Sequence, residues 1–191
     1  MTVFKFALLG RYPIHTGMQY EDISENVAWG LNLTETLLPQ VLKENGYASY
    51  ALGKWHLGHY SPRYLPTARG FIEYLGYLTG QSFYWSKKAT GYLNVHDFMY
   101  ATEDCYAGYN GTDMHTYSTF LYRRKAIDII EYHDYDKNAL FLYLAFQAVH
   151  DPFYDIDNFA DGVPPDYFDV MVNYFLRFVN YLQNTDPSVW S

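Results

Sequence analysis

A single cysteine in 191 residues, Cys105, excludes an intrachain disulfide and with it the stapled scaffolds of small secreted domains. Cys105 also makes a poor nucleophile, because Ala101-Thr102-Glu103-Asp104-Cys105-Tyr106 supplies no adjacent base. Positive charge is scarce: 13 Lys and Arg stand against 21 Asp and Glu, a formal net charge of -8. Nucleic acid requires a basic stripe along its phosphates, and none is written here. Long apolar runs are missing too, and nothing approaches the ~20 residues of a membrane-crossing helix. Met1 to Leu9 is apolar apart from Thr2 and Lys5, but it is short and lacks a small-residue cleavage site, which argues against a signal peptide. No internal repeat or low-complexity linker interrupts the chain.

What the chain does hold is aromatic side chains, 20% of all residues, with 22 tyrosines. Hydrophobic residues at 49% and charged residues at 18% describe a globular chain, long enough for one domain with a core. Tyrosine joins an apolar ring to a hydroxyl, so the tyrosines read as half-buried core and interface residues, or as a sugar-stacking surface.

Local signals give an α/β order. A helix is expected from near Thr36, capped by Thr34 or Thr36 with Pro39 in its first turn, ending at Gly46 as the C′ residue. A strand, Tyr47 to Leu52, follows at once. Gly70 to Thr102 has weak periodicity and reads as long loops with short irregular elements, suited to a pocket rim. Tyr117 to Tyr132 is the clearest helix, with Phe120, Leu121, Ile127 and Ile130 inward and Arg124 and Asp128 at ion-pair spacing. Arg123-Arg124-Lys125 reads as its solvated face. Ala139 to Phe146 is continuously apolar, which fits a strand buried on both faces of a parallel sheet. Beyond it come an acidic loop, Tyr154 to Asp166, and a helix apolar nearly all round, Tyr167 to Leu182.

The chemistry concentrates in Gly53-Lys54-Trp55-His56-Leu57-Gly58. Lys54 and His56 fall just past the first strand, where open α/β sheets bind ligands. No Asp or Glu occurs from Asn45 to Ile72, whereas Lys54, Arg63, Arg69, His56 and His59 all do. A basic island in an acidic chain suits a small sulfated or phosphorylated ligand. The competing reading is an ordinary turn with a solvated lysine and a surface histidine. His150 follows the second strand as His56 follows the first, and parallel neighbouring strands would put both on one sheet edge. The competing reading there is a histidine that caps the loop before Pro152.

Four segments, in order, resemble the sulfatases, most closely the arylsulfatase B-like group. Residues 53–58 look like the G-K-W-H-L-G motif. Leu8-Leu9-Gly10-Arg11-Tyr12-Pro13-Ile14-His15-Thr16-Gly17 is similar to the segment after the active-site cysteine motif. Leu37-Leu38-Pro39-Gln40-Val41-Leu42-Lys43-Glu44-Asn45-Gly46-Tyr47 resembles the L-P-x-x-L-K-x-x-G-Y helix. Leu140 to Pro152 resembles the strand ending in H-x-P, and Leu65-Pro66-Thr67-Ala68-Arg69-Gly70-Phe71 adds support. Together these cover residues 7–152.

The resemblance implies an alkaline phosphatase-like α/β fold, a mixed, mostly parallel sheet between helices, incomplete in this chain. Residues 1–191 would form a single partial N-terminal catalytic domain. The implied activity is hydrolysis of aryl or sugar sulfate esters, with a formylglycine hydrate attacking sulfur while a divalent cation, calcium, and nearby cations stabilise the sulfate oxygens. Lys54 and His56 carry over as sulfate-side groups, and His150 as the H-x-P histidine near the leaving-group oxygen. The C-x-P-S-R motif that makes formylglycine would precede Ala7 and is not in the chain. The metal-binding aspartates are expected further upstream and the D-N-G segment beyond Ser191, so no cation ligands carry over. The expectation is an inactive fragment or degenerate copy of a sulfatase. The alternatives are a non-catalytic sulfate- or sulfated-glycan-binding module and, more weakly, a phosphatase or phosphodiesterase of the same superfamily. The implied placement is lysosomal or extracellular, where Asn32-Leu33-Thr34 and Asn110-Gly111-Thr112 would be glycan acceptors.

Overall fold

The computed structural model describes residues 7–152, apart from 20–22, 92, 94, 109–115 and 149. The expectations for residues 1–6, for Asn110 and for the loop and helix after Pro152 lie outside the described residues.

Helix α1, Leu38–Glu44, starts later than Thr36, and neither threonine caps it. The Gln40 side chain instead turns back to accept the Leu37 amide at 2.9 Å, while Thr34 spends its hydroxyl on Asn32 Oδ1. The expected stop is in place: Asn45 Nδ2 donates to the Val41 carbonyl and Gly46 takes a φ of +81°.

Strand β1, Tyr47–Lys54, runs two residues further than expected, because Gly53 and Lys54 continue the ladder with Gly76 and Tyr77. Their partner strand, β2 (Glu73–Tyr77), and β3 (Met99–Thr102) both lie in the stretch expected to be irregular. Glu73 to Tyr77 and Met99 to Thr102 lack the apolar runs that mark β1 and the strand before His150, so β2 and β3 owe their form to pairing across the sheet rather than to local pattern. A short β4 (Tyr106–Gly108) and β5 (Ala139–Ala145) complete a five-stranded sheet in the order β4-β3-β2-β1-β5. β1 is parallel to both β2 and β5; β3 is antiparallel to β2, and β4 to β3. The expected mixed α/β sheet is therefore present.

β5 departs from expectation in its burial. Five of its residues are half-buried rather than buried, because among the described residues it pairs on one side only. Helix α2, Ser118–Tyr132, forms where expected; Leu121 and Ile130 are buried as expected, joined by Tyr122, Ala126 and Ile129, while Phe120 and Ile127 are only partly buried. Lys125 is not simply solvated, since it pairs with Glu73 and lies 5.6 Å from the Tyr100 ring.

Alternation along β1 divides the core. Ala51 packs with Leu8, Ile23, Leu31, Leu37, Trp55 and Phe71 on one face, and Leu52 with Leu75, Phe98, Leu121 and Tyr122 on the other. Burying each of Leu52, Leu75 and Phe98 contributes about 1.5–3 kcal/mol. A sheet packed on both faces is a rigid platform, and its functional residues sit where the parallel strands end.

A candidate anion site at the carboxyl ends of the parallel strands

Trp55 explains how Lys54 and His56 are held. Its ring is buried edge-on against Phe71, centroids 6.1 Å apart, and Nε1 reaches the carbonyls of Gly58 at 3.1 Å and Tyr64 at 2.9 Å. The apolar residue between the two polar ones thus anchors the motif. The Trp55 and His56 amides then extend the pairing to the Tyr77 and Leu78 carbonyls, at 3.0 and 3.1 Å.

Lys54 and His56 are each only 2% exposed, which sets aside a solvated lysine and a surface histidine. Lys54 Nζ donates to the Gly80 carbonyl. His56 has a φ of +54°, a conformation that costs about 1–2 kcal/mol outside glycine. Its Nε2 accepts the Ile23 amide at 3.1 Å, which puts the proton of the neutral ring on Nδ1.

β1 and β5 are parallel neighbours with Gly53 opposite Ala145, so His150 does emerge at the same sheet edge as His56. His150 Nδ1 lies 2.8 Å from the Asp151 carbonyl and 2.9 Å from its carboxylate Oδ1. With Nδ1 turned to its own neighbour, Nε2 is the nitrogen left to meet a ligand.

A cleft of about 710 Å³ opens at this edge, lined by Ile23, Ser24 and Glu25, by Thr79, Gly80 and Gln81, by Thr90 and Gly91, and by His150 and Asp151. Gly80 holds Lys54 and Ile23 holds His56, so the two buried groups stand directly behind its wall. Across the rim, Thr90 Oγ1 donates to Gln81 Oε1 and Gln81 Nε2 donates to Asp151 Oδ1, both at 3.0 Å.

The rest of the basic island does not converge here. Arg69 is buried against the Glu35 carbonyl at 2.7 Å, and burial lowers its pKa. Arg63 lies exposed on a 3-10 turn, Pro62–Tyr64. His59 Nε2 faces the Glu25 carbonyl at 3.3 Å, bracing the cleft from behind. A charge island in sequence is a one-dimensional fact, and the 3-10 turns after Gly58 point its members in different directions.

Asp97 is the chief residue that the sequence reading passed over. It is 7% exposed, and its carboxylate accepts the Leu78 amide at 2.8 Å, the Thr79 amide at 3.0 Å and the Thr79 hydroxyl. It thereby folds the turn that delivers Gly80 to Lys54. A signal existed: Asp97 is the sole acidic residue between Glu73 and Glu103, in a stretch rich in aromatics. Among the described residues no three His, Cys, Asp or Glu side chains gather to hold a metal ion. The donors that line the cleft among the described residues do not by themselves make a divalent-cation site. No helix among the described residues is long and apolar enough to cross a membrane.

The family model described as Sulfatase matches residues 3–184. Arylsulfatase J of Mus musculus is 38% identical over 146 residues, which are 76% of this chain and 24% of that protein. N-acetylgalactosamine-6-sulfatase of Mus musculus is 31% identical over 156 residues, covering 77% of this chain and 30% of the relative. The crystal structure of Ps i-CgsB in complex with k-i-k-neocarrahexaose superposes with a TM-score of 0.64 at 29% identity, over 80% of this chain and 35% of that one. The chain thus spans about a quarter to a third of the length of these proteins. The family match extends over nearly the whole chain, and a relative 38% identical covers 76% of it: this chain belongs to the sulfatase family.

Proposed function

We propose that this chain carries the sulfate-holding part of a sulfuric ester hydrolase. The observation that carries the reading is that Gly80, bonded to Lys54, Ile23, bonded to His56, and His150 all line one cleft beyond parallel strands. Lys54 supplies a fixed positive charge toward the sulfate oxygens. His56 adds its imidazole on the same side of the cleft, and His150 contributes Nε2 near the leaving-group oxygen. Each acts by placing a donor where negative charge sits or develops.

A sulfated sugar fits the cleft better than an aryl sulfate. Ser24, Glu25, Gln81, Thr90 and Asp151 offer partners for hydroxyl groups, and no Phe, Tyr or Trp is among the described lining residues. The resemblance to Ps i-CgsB, crystallised with k-i-k-neocarrahexaose, and to N-acetylgalactosamine-6-sulfatase points the same way. A lysosomal or extracellular placement belongs to this proposal, and the exposed Asn32 of Asn32-Leu33-Thr34 is the place to look for an N-linked glycan.

A second reading, a sulfated-glycan-binding module without turnover, is favoured by Cys105. The chain's only cysteine lies exposed between β3 and β4, outside the cleft. Titrating the 191-residue chain with galactose 6-sulfate, and assaying sulfate release from that sugar and from nitrocatechol sulfate, tests both. Binding weakened about tenfold by Lys54→Ala or His150→Ala, without sulfate release, is expected. Turnover abolished by Lys54→Ala would show that this chain holds its own nucleophile. Binding indifferent to both substitutions would move the site elsewhere.

A further inference from the structure

His150 stands on a turn after β5, and a turn does not hold a ring to sub-ångström tolerance unless neighbours fix it. The neighbour here is Gln147, 3% exposed. Its amide nitrogen donates to the Ser82 carbonyl, and its amide oxygen accepts the Ser118 hydroxyl at 2.9 Å. Its main-chain carbonyl accepts the His150 amide at 2.9 Å. The Tyr84 hydroxyl lies 2.6 Å from the His150 carbonyl and 3.2 Å from that of Gln147, closing the turn from the other side. Ser82, Tyr84 and Ser118 are each no more than 2% exposed, so water does not replace these bonds.

Three pieces of chain meet at this one side chain. Ser82 follows the cleft residues Gly80 and Gln81, and it is pinned in turn by a bridge to Ala89. Ser118 opens α2. Gln147 and His150 end the β5 segment. We propose that Gln147, seconded by Tyr84, is a positioning residue: it locks the His150 turn to the wall carrying Gly80 and Gln81 and so sets the span across which an anion is held. The proposal rests on the sulfate-holding role given to His150 above. A residue that merely filled the core would support the whole fold evenly, whereas this one links two walls of a single cleft.

Three variants separate the roles. Gln147→Met keeps the length and loses both side-chain bonds. Gln147→Glu keeps an acceptor for Ser118 but turns an oxygen on the Ser82 carbonyl. Tyr84→Phe removes the hydroxyl and keeps the ring stacked 5.1 Å from Tyr117, which makes it the variant that preserves packing. Amide hydrogen exchange is read at His150 and, for reference, at Leu52 in β1 and Ile129 in α2. Exchange at His150 is expected to rise about tenfold in Gln147→Met and Tyr84→Phe, with both reference amides unmoved. An equal rise at all three sites, or none at His150, overturns the brace. Inorganic sulfate is then titrated into the same proteins, and about tenfold weaker binding is expected in both variants. Unchanged affinity beside a loosened turn would leave Gln147 structural and overturn its positioning role. A parent chain that binds no sulfate overturns the sulfate-site reading and the positioning role with it, while the exchange data still report whether the brace exists.

Discussion

Gly53 and Ala145 face each other across β1 and β5 at a separation that admits no side chain: a Cβ on Gly53 would stand 1.9 Å from the Ala145 carbonyl oxygen. The next pair in the row repeats this, since a Cβ on Gly76 would lie 1.9 Å from the Gly53 carbonyl oxygen. Gly53 also has a φ of +97°, so its replacement is strained on two counts. Gly53→Ala is expected to lower stability by about 2–5 kcal/mol, and Gly76→Ala by about 1–3 kcal/mol. Urea unfolding measures both. A loss at Gly53 no greater than at exposed Gly10 would mean the strands do not pack so closely where Lys54 emerges.

Asp97 holds the turn between β2 and Gly80 through the Leu78 and Thr79 amides and the Thr79 hydroxyl. Asp97→Ala strands those buried donors and is expected to cost about 2–4 kcal/mol. Asp97→Asn keeps one acceptor and should cost roughly half of that. The cleft should suffer as well, because the turn carries the carbonyl that anchors Lys54. Sulfate affinity should fall more in Asp97→Ala than in Asp97→Asn, and equal affinities would disconnect this turn from the site.

Alkaline pH should unfold the protein. Burial, reinforced by neighbouring tyrosines and Asp97, raises the pKa values of Tyr74, Tyr77 and Tyr122 well above the ordinary 10.0. The unfolded chain releases these protons near pH 10 and the native state keeps them, so stability is full below about pH 10 and falls as pH rises further. The share of tyrosinate absorbance that belongs to these three should therefore appear in step with the loss of helical circular dichroism, after that of exposed tyrosines such as Tyr12 and Tyr132. Early, unfolding-independent ionisation of these three would contradict the packing described. Tyr74 and Tyr122 should also differ near neutrality. Tyr74 Oη donates to the Gly53 and Tyr77 carbonyls, at 3.0 and 2.8 Å, whereas the Tyr122 hydroxyl finds no hydrogen-bond partner among the described residues. Tyr74→Phe is expected to lose about 1–2 kcal/mol and Tyr122→Phe to be neutral or stabilising.

Lys87 is fully buried, and its ammonium donates to the carbonyls of Tyr84, Trp85 and Thr116. It ties the segment before the cleft rim to the start of α2. Lys87→Met should cost about 1.5–3 kcal/mol, since each bond involves a charged donor in a dry setting. Thermal unfolding gives the measurement, and an unchanged midpoint would mean that water reaches those carbonyls.

Much of the fold was visible in the sequence, for reasons that can be named. Gly46 marked the end of α1 because a positive φ there favours glycine, and α2 announced itself by periodicity over fifteen residues. The face that α2 buries was legible only in part: Leu121 and Ile130 lie inward as their spacing implies, but Tyr122 and Ala126, neither an obvious core residue, join them because they meet Phe98 and Leu52. β2 and β3 were hidden for a related cause. Glu73 to Tyr77 and Met99 to Thr102 have little local strand signal and become strands by pairing with β1 and with each other.

By itself the sequence determined the family, through Gly53–Gly58 and the histidine before Pro152, and the order of the main strands and helices. Those are local properties, set by residue identity and spacing along the chain. Tertiary structure alone decided that Lys54 and His56 are buried, that Arg63 and Arg69 turn away from them, and that Asp97, Gln147 and Tyr84 brace the cleft. Convergence of residues some 25 to 125 positions apart depends on strand register and on which buried polar group finds which partner. Neither quantity is written in any short segment, so the motif identifies the family and the sheet determines where its residues stand.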